Sequence, residues 1–131
     1  MITFSKFCDI EIVLSNYSKT SIQTFHLAEG PGGFIESTAY IRNNTNDNYY
    51  GITLIDKNSN IPNWKKAEHI IKRYGNINIE YGVNGRGDLY DHKNLIYCKS
   101  KFKNSMDIIT ADGGFDFSND YNNQEKNAFR L

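Results

Sequence analysis

Two stretches of this chain carry residues whose types and spacing suit ligand chemistry. The first is Glu29-Gly30-Pro31-Gly32-Gly33, which follows directly on an apolar run ending at Ala28. Glycines let a backbone turn sharply and approach a ligand closely, and a helix opening behind them presents free N–H groups. A nucleotide phosphate or the carboxylate of an amino-acid-like cofactor would both suit that end. The spacing is neither G-x-G-x-x-G nor the phosphate loop G-x-x-x-x-G-K-[ST], and a bare turn is the plain alternative. The second stretch is Ala111-Asp112-Gly113-Gly114-Phe115. Glycines behind Asp112 leave its carboxylate open to a ligand, whereas the plain alternative is an aspartate closing a turn through its own side chain. Found together, each after a strand of one sheet, the two stretches favour a shared ligand site over two unrelated turns.

Those residues need elements to hold them. Phe7, Ile10, Leu14 and Tyr17 recur at helical spacing, which predicts an amphipathic helix from about Phe4 to Tyr17. Ile22 to Ala28 reads as a short buried strand, and Phe34 to Ile41 as the helix behind the glycines. Asn43 to Asn48 is a polar loop by composition. Tyr50 to Ile55 then reads as a second strand, with Asp56 at its carboxyl end. Pro62 suits the first turn of a helix through Trp64, Ile70 and Ile71, and Gly75 is placed to stop it. Ile77 to Tyr81 is a third strand, followed by the loop Gly82 to Gly87. Asp91 is placed to cap a helix over Leu95, Ile96 and Phe102, and Met106 to Ala111 is a fourth strand. Alternation of this kind implies an α/β fold with a parallel sheet and right-handed crossovers. In open parallel sheets ligands bind outside the carboxyl ends of the strands, where the strand order reverses.

Composition sets limits on function. The 131 residues are one domain's worth, and 39% hydrophobic with 23% charged residues is the balance of a globular protein. Fifteen Lys and Arg against fifteen Asp and Glu leave no net charge, so any contact with nucleic acid must be local. Cys8 and Cys98 are the only cysteines and no Cys/His cluster has metal-ligand spacing, so no metal is expected. No signal peptide precedes them, which favours reduced thiols in an intracellular, cytoplasmic protein. No apolar run approaches the length of a membrane span. His26, His69 and His92 are scattered, each with a plain explanation as a core, surface or capping residue.

Phe25-His26-Leu27-Ala28-Glu29-Gly30-Pro31-Gly32-Gly33-Phe34-Ile35-Glu36 closely resembles the cofactor motif of FtsJ-like RNA 2′-O-methyltransferases. The match is best to the branch containing cap-1 mRNA methyltransferases and their relatives in large DNA viruses. Asp107-Ile108-Ile109-Thr110-Ala111-Asp112-Gly113-Gly114-Phe115-Asp116 resembles the same family's motif around its catalytic aspartate. The resemblance implies a Rossmann-like class I methyltransferase fold, S-adenosyl-L-methionine as cofactor and RNA, possibly capped mRNA, as substrate. The reaction it implies is methyl transfer to a ribose 2′-hydroxyl. Positioning the hydroxyl supplies much of that catalysis, while a lysine eases its deprotonation and a carboxylate orients the lysine.

By the same resemblance Asp112 is the aspartate of a Lys-Asp-Lys-Glu tetrad, and Lys6 its first lysine. A solvated surface lysine is the alternative for Lys6. Gly30, Pro31, Gly32 and Gly33 match the loop that holds the methionine end, Asp88 the aspartate that recognises the adenine, and Asp56 the acid that takes the ribose hydroxyls. Glu29 is expected to organise the loop rather than to touch the methyl group. The tetrad's second lysine and its glutamate lie on later strands in the family, and the residues after Asp112 show no such strand. Lys126 falls in a region that should be helical. Residues 1–131 therefore read as a partial domain, the cofactor half, with roughly four parallel strands and flanking helices. Such a chain is expected to be weakly active or inactive alone, with another chain or a homodimer completing it. The alternative is a non-catalytic S-adenosylmethionine-binding or scaffolding module.

Overall fold

A computed structural model describes residues 4–17, 21–56 and 63–111, with side chains from Cys8 onward in the first of these segments. Four strands, β1 (Gln23–Leu27), β2 (Asn48–Ile52), β3 (Ile77–Glu80) and β4 (Ile108–Ala111), form one sheet. All pairings are parallel and the order is β3-β2-β1-β4. The helices are α1 (Phe4–Leu14), α2 (Gly33–Arg42), α3 (Glu68–Arg73), which continues a 3₁₀ turn over Trp64–Ala67, and α4 (His92–Phe102). The arrangement is α/β and compatible with a Rossmann-like fold.

The layers follow from the handedness of the connections. From β1 to β2 to β3 the chain steps outward in one direction, then β4 returns to the other flank of β1. Right-handed crossovers place helices on one face for the outward steps and on the opposite face for the return. The packing obeys this rule. Ile35 and Ala39 of α2 join Trp64, Ala67 and Ile70 against Tyr49 and Ile77 on one face. On that face too, Ile10 and Leu14 of α1 pack with Ile22 and Ile108. On the other face Cys98 of α4 packs with Phe25 and Ile52, and the Phe102 ring lies 4.9 Å from that of Phe25.

Being covered on both faces, β1 is buried in consecutive residues, Thr24, Phe25 and His26. Phe25 turns to α4, whereas His26 turns to the α1/α2 face, where its two ring nitrogens share hydrogen bonds with the hydroxyls of Thr24 (2.8 Å) and Thr110 (2.7 Å). Burial pushes the His26 pKa down to about 3. The imidazole is therefore a neutral core residue stitching β1 to β4.

Three sequence expectations shift. The second strand covers Asn48–Ile52 rather than Tyr50–Ile55. Its start is fixed by Asp47, whose buried carboxylate accepts from the Ile22 N–H (2.8 Å), Arg42 Nε (2.7 Å) and the Tyr49 hydroxyl (2.7 Å). Its end comes early because the Ile55 N–H leaves the ladder and donates to the Arg86 carbonyl at 2.7 Å. The third helix opens on Asn63, whose side chain accepts from the Lys65 N–H at 3.0 Å, and Pro62 lies outside the described residues. It closes on Tyr74 in extended backbone, with no left-handed Gly75. Asp91 caps α4 as expected, accepting from the Lys93 N–H at 3.1 Å. Cys8 and Cys98 are free thiols. Among the described residues no helix is long and apolar enough to cross a membrane.

Candidate functional site at the carboxyl edge of the sheet

Parallel strands end on one edge, so the segments that follow them gather there: Ala28–Gly32 after β1, Thr53–Asp56 after β2 and Tyr81–Asp91 after β3. The strand order reverses between β1 and β4, where Leu27 stands opposite Ala111. That is the crevice position of an open α/β sheet, and both sequence motifs lead into it. Asp112, with Gly113 and Gly114, lies outside the described residues. Lys6 is in the first turn of α1, and its side chain also lies outside them. The Tyr17 hydroxyl donates to the Asp107 carbonyl at 2.5 Å, tying the chain just after α1 to the amino edge of the sheet. Lys6 is at the helix end turned away from that edge.

The glycine loop is organised by Glu29, as expected. Its carboxylate is fully buried, and Oε1 accepts from the N–H groups of Phe34 and Ile35, the latter at 3.0 Å. These are second- and third-position donors of α2, which no intrahelical carbonyl can satisfy. The N-cap residue, Gly32, offers no side chain to do so. One expectation is thereby corrected: the Phe34 and Ile35 N–H groups are not free for a ligand, because a carboxylate from the chain itself reaches them first. Gly32 has a φ of +104°, which side chains rarely adopt, and a Cβ there would lie 3.1 Å from that of Ala67. Its backbone thus packs against the start of the third helix.

The other acids hold the neighbouring loops. Asp56 stands four residues beyond β2, and its carboxylate lies 3.7 Å from the guanidinium of Arg86. Asp88 Oδ1 accepts from the Tyr90 N–H at 2.9 Å, closing a local turn. At Gly87, φ is +62°, and an added Cβ would run into the Thr53 carbonyl. Only glycine lets the loop after β3 lie on the segment after β2, and this close approach puts Asp56 and Asp88 on adjacent loops.

Sequence reasoning missed two residues that build this edge. Asn94 of α4 is fully buried, accepts from the Val83 N–H (2.8 Å) and donates to the Asp88 carbonyl (2.8 Å). It pins the loop that carries Asp88, yet nothing in its sequence surroundings separates it from a surface asparagine. Trp64 packs its ring over Gly51 and Gly32, and its buried indole N–H has no acceptor among the described residues. A lone tryptophan and a glycine inside a strand were the available signals. A cavity of about 240 Å³ lined by Asn43, Tyr49, Arg73, Tyr74 and Asn76 opens at the opposite, amino edge. None of the candidate site residues lines it, and the chemistry suggested by the motifs lies elsewhere. The chain matches no family model and no curated protein.

Proposed function

We propose that this chain binds S-adenosyl-L-methionine at the carboxyl edge of its sheet and serves methyl transfer to a ribose 2′-hydroxyl of RNA, in a Rossmann-like methyltransferase fold. The observation that carries the reading is the buried Glu29 carboxylate at the amino end of α2, beside the strand-order reversal. Nucleotide-binding α/β proteins keep that helix end open for phosphate. A phosphate about 4 Å from this carboxylate would be opposed by on the order of 4 kcal/mol at an effective dielectric of about 20. The methionine end of S-adenosylmethionine carries an ammonium and a sulfonium against a single carboxylate, and that net positive charge is attracted by Glu29 rather than opposed.

S-adenosylmethionine, when bound, supplies the activated methyl group. The residues of this chain do the rest. Gly30, Pro31, Gly32 and Gly33 bring backbone close to the methionine end, Asp56 takes the ribose hydroxyls and Asp88 the adenine. Lys6 and Asp112 make a pair suited to easing deprotonation of the RNA hydroxyl, the carboxylate holding the lysine in place. Calorimetry with S-adenosylhomocysteine tests the binding step: heat is expected from the folded chain, and its absence would sink the reading. Methyl transfer to capped RNA that disappears with Asp112→Ala would establish the catalytic step.

A second reading, a non-catalytic cofactor-binding or scaffolding module, is favoured by one feature. Among the described residues β4 is an edge strand, and Ile109 on it is 61% exposed. An open edge invites a completing chain or a second copy. Cofactor binding without transfer, in the chain alone and in any assembly it forms, would decide for this module.

A further inference from the structure

We infer that the outer face of α4 is a phosphate track for single-stranded RNA, leading from the amino edge of the molecule to its carboxyl edge beside the loop that follows β3. The choice of RNA rests on the proposed function. The surface itself rests on charge and exposure. The neutral total conceals a strong segregation: residues 64–103 hold nine Lys and Arg against four Asp and Glu. Within α4 and its two caps there are four lysines against one acid, Asp91, whose carboxylate accepts from the Lys93 N–H and the Asn84 side-chain amide. Lys101 is committed, its ammonium 2.6 Å from Glu80. Among the described residues Lys93, Lys99 and Lys103 pair with no carboxylate.

The geometry orders these charges. Lys93 and Lys99 stand three residues either side of Ile96, which is 62% exposed, so the three share one face of the helix. From Lys93 to Lys99 to Lys103 the rise is about 9 Å and then about 6 Å, a line of cations rather than a point. At the amino end of that line, where the helix leaves the carboxyl edge of the sheet, Tyr81, Val83 and Tyr90 are all exposed. The Val83 N–H is bonded to Asn94 of α4, so this apolar group is fixed to the helix. Unpaired lysines in a row with exposed rings at one end fit a strand that offers phosphates along its length and bases to stack on. An acidic protein segment would match the lysines but leave the rings without a role.

The experiment is fluorescence anisotropy of the full chain with a labelled 12-nucleotide single-stranded RNA. Affinity should fall about 18-fold between 50 and 200 mM salt, as three neutralised phosphates require. Lys93→Glu/Lys99→Glu/Lys103→Glu should weaken binding at least tenfold and flatten the salt dependence. The same triple exchange at Lys65, Lys66 and Lys72, on the opposite face of the sheet, should leave it within about twofold. Tyr81→Ser should weaken binding about tenfold with the salt slope unchanged, because stacking releases no counterions. All replaced positions are exposed, and circular dichroism confirms folding. No RNA binding by the parent chain, unchanged binding by the α4 variant, or equal displacement by poly-glutamate would overturn the inference. S-adenosylhomocysteine calorimetry on the same samples keeps the two ideas apart: RNA binding without cofactor heat removes the methyltransferase reading and leaves the track.

Discussion

Glu29 shows how one side chain sets both the stability and the ligand preference of a loop. Its Oε1 satisfies two N–H groups of α2 from inside the fold. Glu29→Ala leaves both without a partner in a buried place, and is expected to cost about 2 kcal/mol or more in urea unfolding. Glu29→Gln keeps a carbonyl acceptor and should cost less than half as much. His26 makes a prediction of a different kind. Its pKa is held at about 3 by burial, against 6.5 for the free side chain. Below pH 6.5 the unfolded chain takes up a proton that the folded chain refuses, so stability is full above 6.5 and declines as pH falls toward 3. The slope approaches about 1.4 kcal/mol per pH unit. Denaturation midpoints of the parent chain and His26→Gln, compared from pH 7 to pH 4.5, should converge as pH falls.

The element boundaries are where sequence and structure part, and side chains explain why. The helix over Phe4–Leu14 and the strand over Gln23–Leu27 were legible from the spacing of their apolar residues. The helix over His92–Phe102 was legible from its Asp91 cap, although Leu95 and Ile96 are exposed and Asn94 and Cys98 make its buried side. The start of β2 was not, because Asn43–Asn48 reads only as polar and composition cannot say which acid is buried. Asp47 is that acid: it joins the end of α2, the entry to β1 and the first turn of β2 through Arg42, Ile22 and Tyr49. Burial alone would raise its pKa, but the donors from Arg42, Tyr49 and Ile22 outweigh this and hold it below the usual 3.8. Its stabilisation is thus present above pH 3.8 and lost as pH falls through the lower folded value. Asp47→Ala strands the Arg42 guanidinium, the Tyr49 hydroxyl and the Ile22 N–H together. Chemical unfolding should show a loss of about 3–5 kcal/mol.

For the whole molecule, alternation of strands and helices made the parallel sheet legible, and the reversal of strand order then placed the glycine loop and the end of β4 side by side. What could not be read was the occupancy of that place. A glutamate bonding five and six residues ahead is a tertiary choice, and the same glycines could have framed an empty, phosphate-ready helix end. The difference has a thermal signature. A ligand at 100 times its Kd adds about 2.7 kcal/mol to stability, which is a rise of several degrees in Tm for a chain of this size. S-adenosylhomocysteine should produce that rise, while ATP and NAD at the same concentration should not, since Glu29 opposes their phosphates. Glu29→Gln removes the opposing charge while keeping the loop bonded, so ATP should begin to raise the Tm of that variant. Equal stabilisation of the parent chain by ATP and S-adenosylhomocysteine would mean that Glu29 does not face the ligand, and that the helix end does not select against phosphate.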